Sequence, residues 1–325
     1  MAINQLPQLY CPFPAAINPA GADVQEQTIV WARQLRFSRR ESSYRRLNRL
    51  QYAMLMARAY PNVPQDALQL IADWSTWLFL LDDKCDESGL GSEPARLALM
   101  HAQLMRVFDG VKPDECDDPF AHGLWDIFLR LAARADDEWL ARFRASVEQY
   151  FQANVWEASN RSLGCLPDSA TYRSFRPFTS AVYPCLLLIE LAENLQLPAH
   201  TVGHPTFQRL SLLANNVISL SNDIVSCHKE RAQGDVHNLV LIYEKELAIP
   251  FARAVERVAA LHDADVREFI ALSERLPPFT PAVQANLQQY VTGMRYWMRA
   301  NWDWSADAIR YHSVPAPATP HLVLV

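Results

Sequence analysis

Residues 74–87 read Trp74-Ser75-Thr76-Trp77-Leu78-Phe79-Leu80-Leu81-Asp82-Asp83-Lys84-Cys85-Asp86-Glu87, a near-continuous apolar run that ends in four carboxylates within six residues. The run closes a helical stretch predicted from Asp66 to Glu87 and stopped by Ser88-Gly89-Leu90-Gly91, where residues tolerant of positive φ end helices. A helix this apolar is buried on several sides. Asp82 and Asp86 are four apart, as are Asp83 and Glu87, so each pair shares a helix face. All four sit in the last turn, where the negative end of the macrodipole disfavours each acid by about 0.3–1 kcal/mol. Crowded like charges at the end of an apolar helix need a counter-charge. A hard divalent cation such as Mg²⁺ is the obvious candidate, taking one or two carboxylates and filling its other positions with water or phosphate oxygens, with a solvated acidic helix end as the alternative.

Working outward, the chain continues in helical period. Stretches are predicted from Thr28, over Tyr44–Tyr60, and then over Glu93–Phe108, Phe120–Ala133, Asp137–Ser162 and Ala181–Leu195. Further ones cover Pro205–Arg231, Leu239–Leu261, Val266–Leu276 and Pro281–Trp302. Residues 1–23, with four prolines, read as an arm over the body, and 313–325 as a C-terminal tail. Sustained alternation occurs only in the last six residues, and neither a repeat nor a linker divides the 325 residues. The expectation is one all-α domain over 1–325, an antiparallel helical bundle.

Composition agrees. Nine glycines stand where ordinary usage near 7% would give roughly 23, too few for a glycine-loop nucleotide binder or a β-sandwich. Half the residues are hydrophobic and a fifth charged, which excludes a disordered chain or a coiled coil. The net charge of −6 lacks the basic footprint of a nucleic-acid binder. No run approaches 18 apolar residues, so no stable membrane insertion is expected, and the first ten residues do not form a secretory signal. The cysteines at 11, 85, 116, 165, 185 and 227 contain no C-x-x-C pair and read as reduced thiols of a cytoplasmic protein.

A second oxygen-rich set ends another apolar helix. After Leu210, Leu213, Val217 and Leu220 the sequence becomes Asn222-Asp223-Ile224-Val225-Ser226-Cys227-His228-Lys229-Glu230, then Gly234. Asn222, Ser226 and Glu230 are spaced i, i+4, i+8 and drift only about 40° per step, so their oxygens line one face. An amide, a hydroxyl and a carboxylate suit a hard cation better than a soft one. Lys229 beside them can face a phosphate. Two helices that each end in an oxygen-donor set point to one site between their ends.

With both sets in view, the chain resembles the class I terpene synthase family, and its bacterial sesquiterpene cyclases in particular. That family's aspartate-rich motif is similar to Asp82-Asp83-Lys84-Cys85-Asp86-Glu87, and its Asn-Asp-x-x-Ser-x-x-x-Glu motif matches residues 222–230 at every defined position. A diphosphate-sensing arginine 46 positions before the Asn falls on Arg176, with Arg173 as the alternative, and an Arg-Tyr pair near the C-terminus falls on Arg310-Tyr311. Pro12-Phe13-Pro14 with Asn18-Pro19 resembles the N-terminal segment, so the likeness runs from about residue 12 to 312. The chain departs from the family by offering both Asp86 and Glu87 where many relatives have one acid, and by Pro177-Phe178-Thr179-Ser180-Ala181 after the sensor.

The resemblance implies a class I terpenoid synthase bundle with a central active site. It implies that farnesyl diphosphate is ionised, its diphosphate bridged by three Mg²⁺ ions (Mn²⁺ as a substitute), and the cation cyclised to a sesquiterpene hydrocarbon or alcohol with release of pyrophosphate. Asp82 with Asp83, Asp86 or Glu87, and Asn222, Ser226 and Glu230, would hold the metal. Arg176, Lys229, Arg310 and Tyr311 would bind the diphosphate. Phe79 and Trp302 are the candidate rings facing the cation, each worth about 0.5–2 kcal/mol, with core packing as the alternative for both. Trp74, Trp77 and Trp156 are expected in the core, Cys85 and Cys227 in packing, and His228 away from the site. The family also allows a homodimer. The same chemistry on geranyl or geranylgeranyl diphosphate is the first alternative and a non-catalytic helical binding protein a distant one. Chain elongation is disfavoured because it needs two aspartate-rich motifs.

Overall fold

The computed structural model describes residues 7–307, and the side chains of all of these except 86–88 and 307. Among the described residues the regular structure is helical, without a strand. The first helices are α1 (Gly21–Gln34), α2 (Glu41–Leu50), α3 (Tyr52–Ala59), α4 (Gln65–Ser88), α5 (Pro94–Met105), α6 (Pro119–Ala132) and α7 (Asp137–Leu163). They are followed by α8 (Ser169–Thr179), α9 (Val182–Ala192), α10 (Ala199–Val202), α11 (Pro205–Gln233), α12 (Leu239–Glu246), α13 (Phe251–Ser273) and α14 (Pro281–Asp307).

Local chemistry sets these boundaries. Asp118, Asp136, Asp168 and Asn238 each accept a hydrogen bond from a first-turn N–H of the helix they precede. Gly89, Gly164 and Gly234, all at positive φ, end α4, α7 and α11, the three helices that later frame the site.

The periodicity misplaced some breaks. The predicted helix Tyr44–Tyr60 is two helices, divided at Gln51, whose φ of 53° and ψ of 45° are left-handed. The predicted Leu239–Leu261 stops at Glu246, because Ala248 turns left-handed (φ 50°) and Pro250 has no N–H to continue the ladder. Val266–Leu276 is not a separate helix but the far end of α13, whose last residue is Ser273. Helix α8 was missed: only Tyr172 and Pro177 of its eleven residues are buried, so it carries little periodic signal.

Two hydrophobic clusters make the core. The larger gathers α3, α4, α6, α7 and α9 around Trp74 and Trp77, both fully buried as expected, and takes in the first half of α11 through Leu210, Leu213 and Val217. The smaller gathers Tyr172, Leu239, Val240, Ile242, Val255 and Val258 around the second half of α11, at Leu220, Ile224 and Cys227. The segment before α1 lies on the body, with Leu9 in one cluster, Phe13 in the other, and Asn18 donating to the carbonyls of Tyr60 and Val63 at 3.2 and 2.8 Å. One stretch among the described residues, Ser169–Ala192, is long and apolar enough by composition to cross a membrane. Here it is the α8–α9 pair, interrupted at Ser180-Ala181 and half buried against other helices.

Candidate active site

A cavity of about 230 Å³ opens among α4, α7, α8, α9, α11 and α14. Leu55, Leu78, Phe79, Val182, Cys185, Ile218, Trp297 and Trp304 line it, with the buried polar residues Ser75, Ser219 and Asn301 among them. Its mouth is polar and carries Asp82, Glu157, Arg161, Arg176, Asn222, Ser226, Lys229, Glu230 and Asp235. One member of the first oxygen-donor set, Asp82 from α4, therefore lines the same cavity as all three of the second, Asn222, Ser226 and Glu230 from α11.

The α11 face is tightly ordered. Arg176 on α8 donates from Nε to Oδ1 of Asp223 at 3.0 Å and from Nη2 to Oδ1 of Asn222 at 2.9 Å, with Nη2 also 2.8 Å from Asp223. Asp223 is buried, and its other oxygen accepts from the Tyr172 hydroxyl and the Leu239 N–H, both at 3.0 Å. Burial pushes the Asp223 carboxyl upward, against the pull of Arg176. Burial likewise opposes the charge of Arg176, but Asp223 beside it holds the guanidinium protonated with its pKa above the usual value. The Arg176 guanidinium is thus held in place by Asp223, which lies inside the motif without being one of the three spaced donors and so carried no signal of its own in the sequence.

Asn238, at the start of α12, donates to Oε2 of Glu230 and to the carbonyl of Asp223, each at 2.7 Å. Ser226 Oγ donates to the Asn222 carbonyl at 2.8 Å, leaving its lone pairs to accept. Burial, with Asp223 and Asp235 nearby, raises the Glu230 carboxyl to about 7. A site that penalises its own carboxylate in this way favours a bound cation. Among the described residues no three His, Cys, Asp or Glu side chains gather as a metal cluster. The α11 set offers one carboxylate with an amide and a hydroxyl oxygen, and Asp82 comes from across the cavity. This is a donor set for a hard cation that keeps water or phosphate oxygens in its shell, and the residues fit one.

The remaining expected residues divide. Phe79 lines the cavity, stacked on Tyr52 with centroids 4.0 Å apart, and Lys229 lines its mouth. Asp83 is outside the lining and lies 3.8 Å from Arg46 on α2. Arg173 is exposed and outside it as well. Trp302 packs on the smaller cluster, and the indoles that α14 sends to the cavity are Trp297 and Trp304. Trp156 stacks on Phe175 at 4.2 Å, and His228 packs 4.9 Å from Phe251. Asp86 and Glu87 have no described side chains, and Arg310 and Tyr311 lie outside the described residues. Sequence reading also missed the polar face of α7, where Tyr150, Asn154, Glu157 and Arg161 line the cavity at helical spacing. Their spacing is helical, but α7 also carries Arg142, Arg144, Glu148 and Gln152 on its other faces, so no distinct stripe marked this one in the sequence.

A family described as "Terpene synthase family 2, C-terminal metal binding" matches residues 73–268, which span both donor sets. The chain is 41% identical to the (+)-T-muurolol synthase of Roseiflexus castenholzii over 94% of its own length and 93% of that protein's. The chain belongs to the terpene synthase family. As a class I terpene synthase it is a lyase, and its all-α fold is that of class I terpenoid synthases. It is also 33% identical to the germacrene A synthase of Nostoc punctiforme, over 96% of this chain and 97% of that one. The crystal structure of germacradien-4-ol synthase from Streptomyces citricolor superposes with a TM-score of 0.82 at 26% identity, over 94% of this chain and 99% of that one.

Proposed function

We propose that this terpene synthase ionises farnesyl diphosphate with the help of Mg²⁺ and cyclises the cation to a sesquiterpene hydrocarbon or alcohol, releasing pyrophosphate. The observation that carries the reading is a cavity lined by apolar and aromatic side chains that also gathers Asp82 and the Asn222, Ser226 and Glu230 set with Arg176 and Lys229. The substrate class is supported by the (+)-T-muurolol synthase, whose name describes it as (2E,6E)-farnesyl diphosphate cyclizing.

Asp82 from one wall, and Asn222, Ser226 and Glu230 from the other, are the residues that would hold the metal. Bound there, divalent cations supply Lewis acidity to the phosphate oxygens and neutralise the charge that collects on the leaving group. Arg176 and Lys229 direct positive charge at the same opening, and Asp223 keeps the Arg176 fork in place, so little reorganisation is needed as the C–O bond breaks. The bond's electron pair leaves with pyrophosphate, and the allylic cation remains on the hydrocarbon. Phe79, Trp297 and Trp304 line the cavity, where their aromatic rings would stabilise the cation and exclude water while alkene π electrons close the rings. Loss of a proton, or capture of water with loss of a proton, then restores neutrality.

Incubation with farnesyl diphosphate and Mg²⁺ should release pyrophosphate and a volatile C15 product detectable by gas chromatography and mass spectrometry, and EDTA should abolish both. Preferred turnover of geranyl or geranylgeranyl diphosphate would reassign the chain length. No turnover of any of the three would overturn the proposal.

A further inference from the structure

At the mouth of the cavity, segments that supply none of the proposed ligands meet on one side chain. Arg161 lies in the last turn of α7. Its Nη1 donates to the carbonyl of Gly91, in the turn that follows α4, at 3.3 Å. Its Nη2 and Nε donate to the two oxygens of Asp235, in the loop that follows α11, at 3.0 and 3.4 Å, and Nη2 also reaches Glu157 at 3.3 Å. Asp235 is itself anchored. Its Oδ1 accepts from the N–H groups of Val236 and His237 at 2.7 and 3.0 Å and lies 3.0 Å from His237 Nδ1. The amide nitrogen of Asn160 stands 3.2 Å from His237 Nε2, which assigns the ring proton to Nδ1: Nδ1–H donates to Asp235 and Nε2 accepts from Asn160. Burial alone would raise the Asp235 carboxyl, but the hydrogen bonds from His237 and the charge of Arg161 hold it well below the usual carboxylate range. Asn238, the next residue along, grips Glu230.

We propose that Arg161 is a positioning residue that ties the turn after α4 to the loop after α11. The two acid-bearing helix ends are thereby held in register before any ligand arrives. The proposal rests on the reading of Asp82 and Glu230 as two halves of one metal–diphosphate site. The guanidinium is suited to the task because its donors are spread over a rigid planar fork that reaches a carboxylate and a carbonyl in different directions at once. A lysine would keep the charge but place its donors on one nitrogen, so it could not span both.

The test uses the ligand-free full chain as wild type, Arg161→Lys and Arg161→Gln. Hydrogen–deuterium exchange should quicken about 10-fold at both 89–93 and 235–239 in both variants, since a charge-assisted tie is lost at each end. Titration calorimetry with pyrophosphate in excess Mg²⁺ should show affinity falling by about 10-fold or more, the loss typical of removing a group that orients a ligand. Exchange that changes at one loop only, or at neither, overturns the tie. So does a Lys variant with wild-type protection and affinity, which would show that charge alone suffices. Should the Gln variant fail to fold, the Lys variant carries the same test. The exchange result does not depend on substrate: if wild type binds no pyrophosphate while both loops loosen in the variants, the tie stands and the reading of the site fails.

Discussion

Phe79 and Trp302 show what residue-level reading can and cannot reach. Phe79 precedes Asp82 by three residues, so a helix that brings Asp82 to the cavity brings Phe79 to the same side, and it lines the wall. Trp302 stands eight residues before the Arg310-Tyr311 pair, but nearness in sequence is not a shared face. Trp297 and Trp304 are seven residues apart, two turns, and both face the cavity, whereas Trp302, two residues before Trp304, falls on the opposite side of α14. The heptad was present in the sequence, but it could not say which side of α14 was inward. Phe79→Leu should therefore change the ratio of products in gas chromatography. Trp302→Leu should leave that ratio unchanged and lower the melting temperature by a few degrees, about 1 kcal/mol of lost packing. A product shift in the Trp302 variant, with none in Phe79→Leu, would reverse the assignment.

At the scale of elements, the donor-bearing helices were legible almost to their ends because long apolar runs, periodic patterns and terminal glycines agree with one another. The α8–α9 junction was legible only as a break. Its form depends on tertiary partners that no local pattern encodes: Asn215 of α11 donates to the Pro177 carbonyl at 2.8 Å, and the Ser180 hydroxyl lies 3.0 Å from both that carbonyl and Asn215 Oδ1. Pro184 cannot offer an N–H to the carbonyl of Ser180 four residues before it. Ala181 completes the turn at φ 56°, a left-handed conformation that costs an L-residue roughly 1–2 kcal/mol. Ser180 and Ala181 both line the cavity, so the strain is stored in its wall. Ala181→Gly should relieve it and, after the entropy that glycine adds to the unfolded chain, raise stability by about 0.5–1 kcal/mol in thermal or urea unfolding. A loss of stability would show that Ala181's methyl contact outweighs the backbone strain.

For the molecule as a whole, the sequence predicts an all-α bundle without an internal boundary, and the arrangement of the core supports treating it as one unit. The two hydrophobic clusters share α11: Leu210, Leu213 and Val217 belong to the larger, and Leu220, Ile224 and Cys227 to the smaller. Helix α14 joins them again, with Trp297 and Trp304 in one and Trp302 against the other. Neither cluster can come apart without unwinding a helix on which the other depends, so the chain should unfold as one domain in a single cooperative transition. Far-ultraviolet circular dichroism and tryptophan fluorescence, recorded on the ligand-free protein against temperature, should give coincident curves. Ile224 is fully buried at the heart of the smaller cluster, and Ile224→Ala should cost about 2–5 kcal/mol. The informative feature is how that loss appears. In a single cooperative unit the whole transition moves down together in both probes, because the larger cluster loses stability with the smaller one. If instead the variant splits the curve, with most of the tryptophan fluorescence, which comes from the larger cluster, changing at the wild-type midpoint while part of the helix signal melts early, the clusters are separable and the chain holds two units.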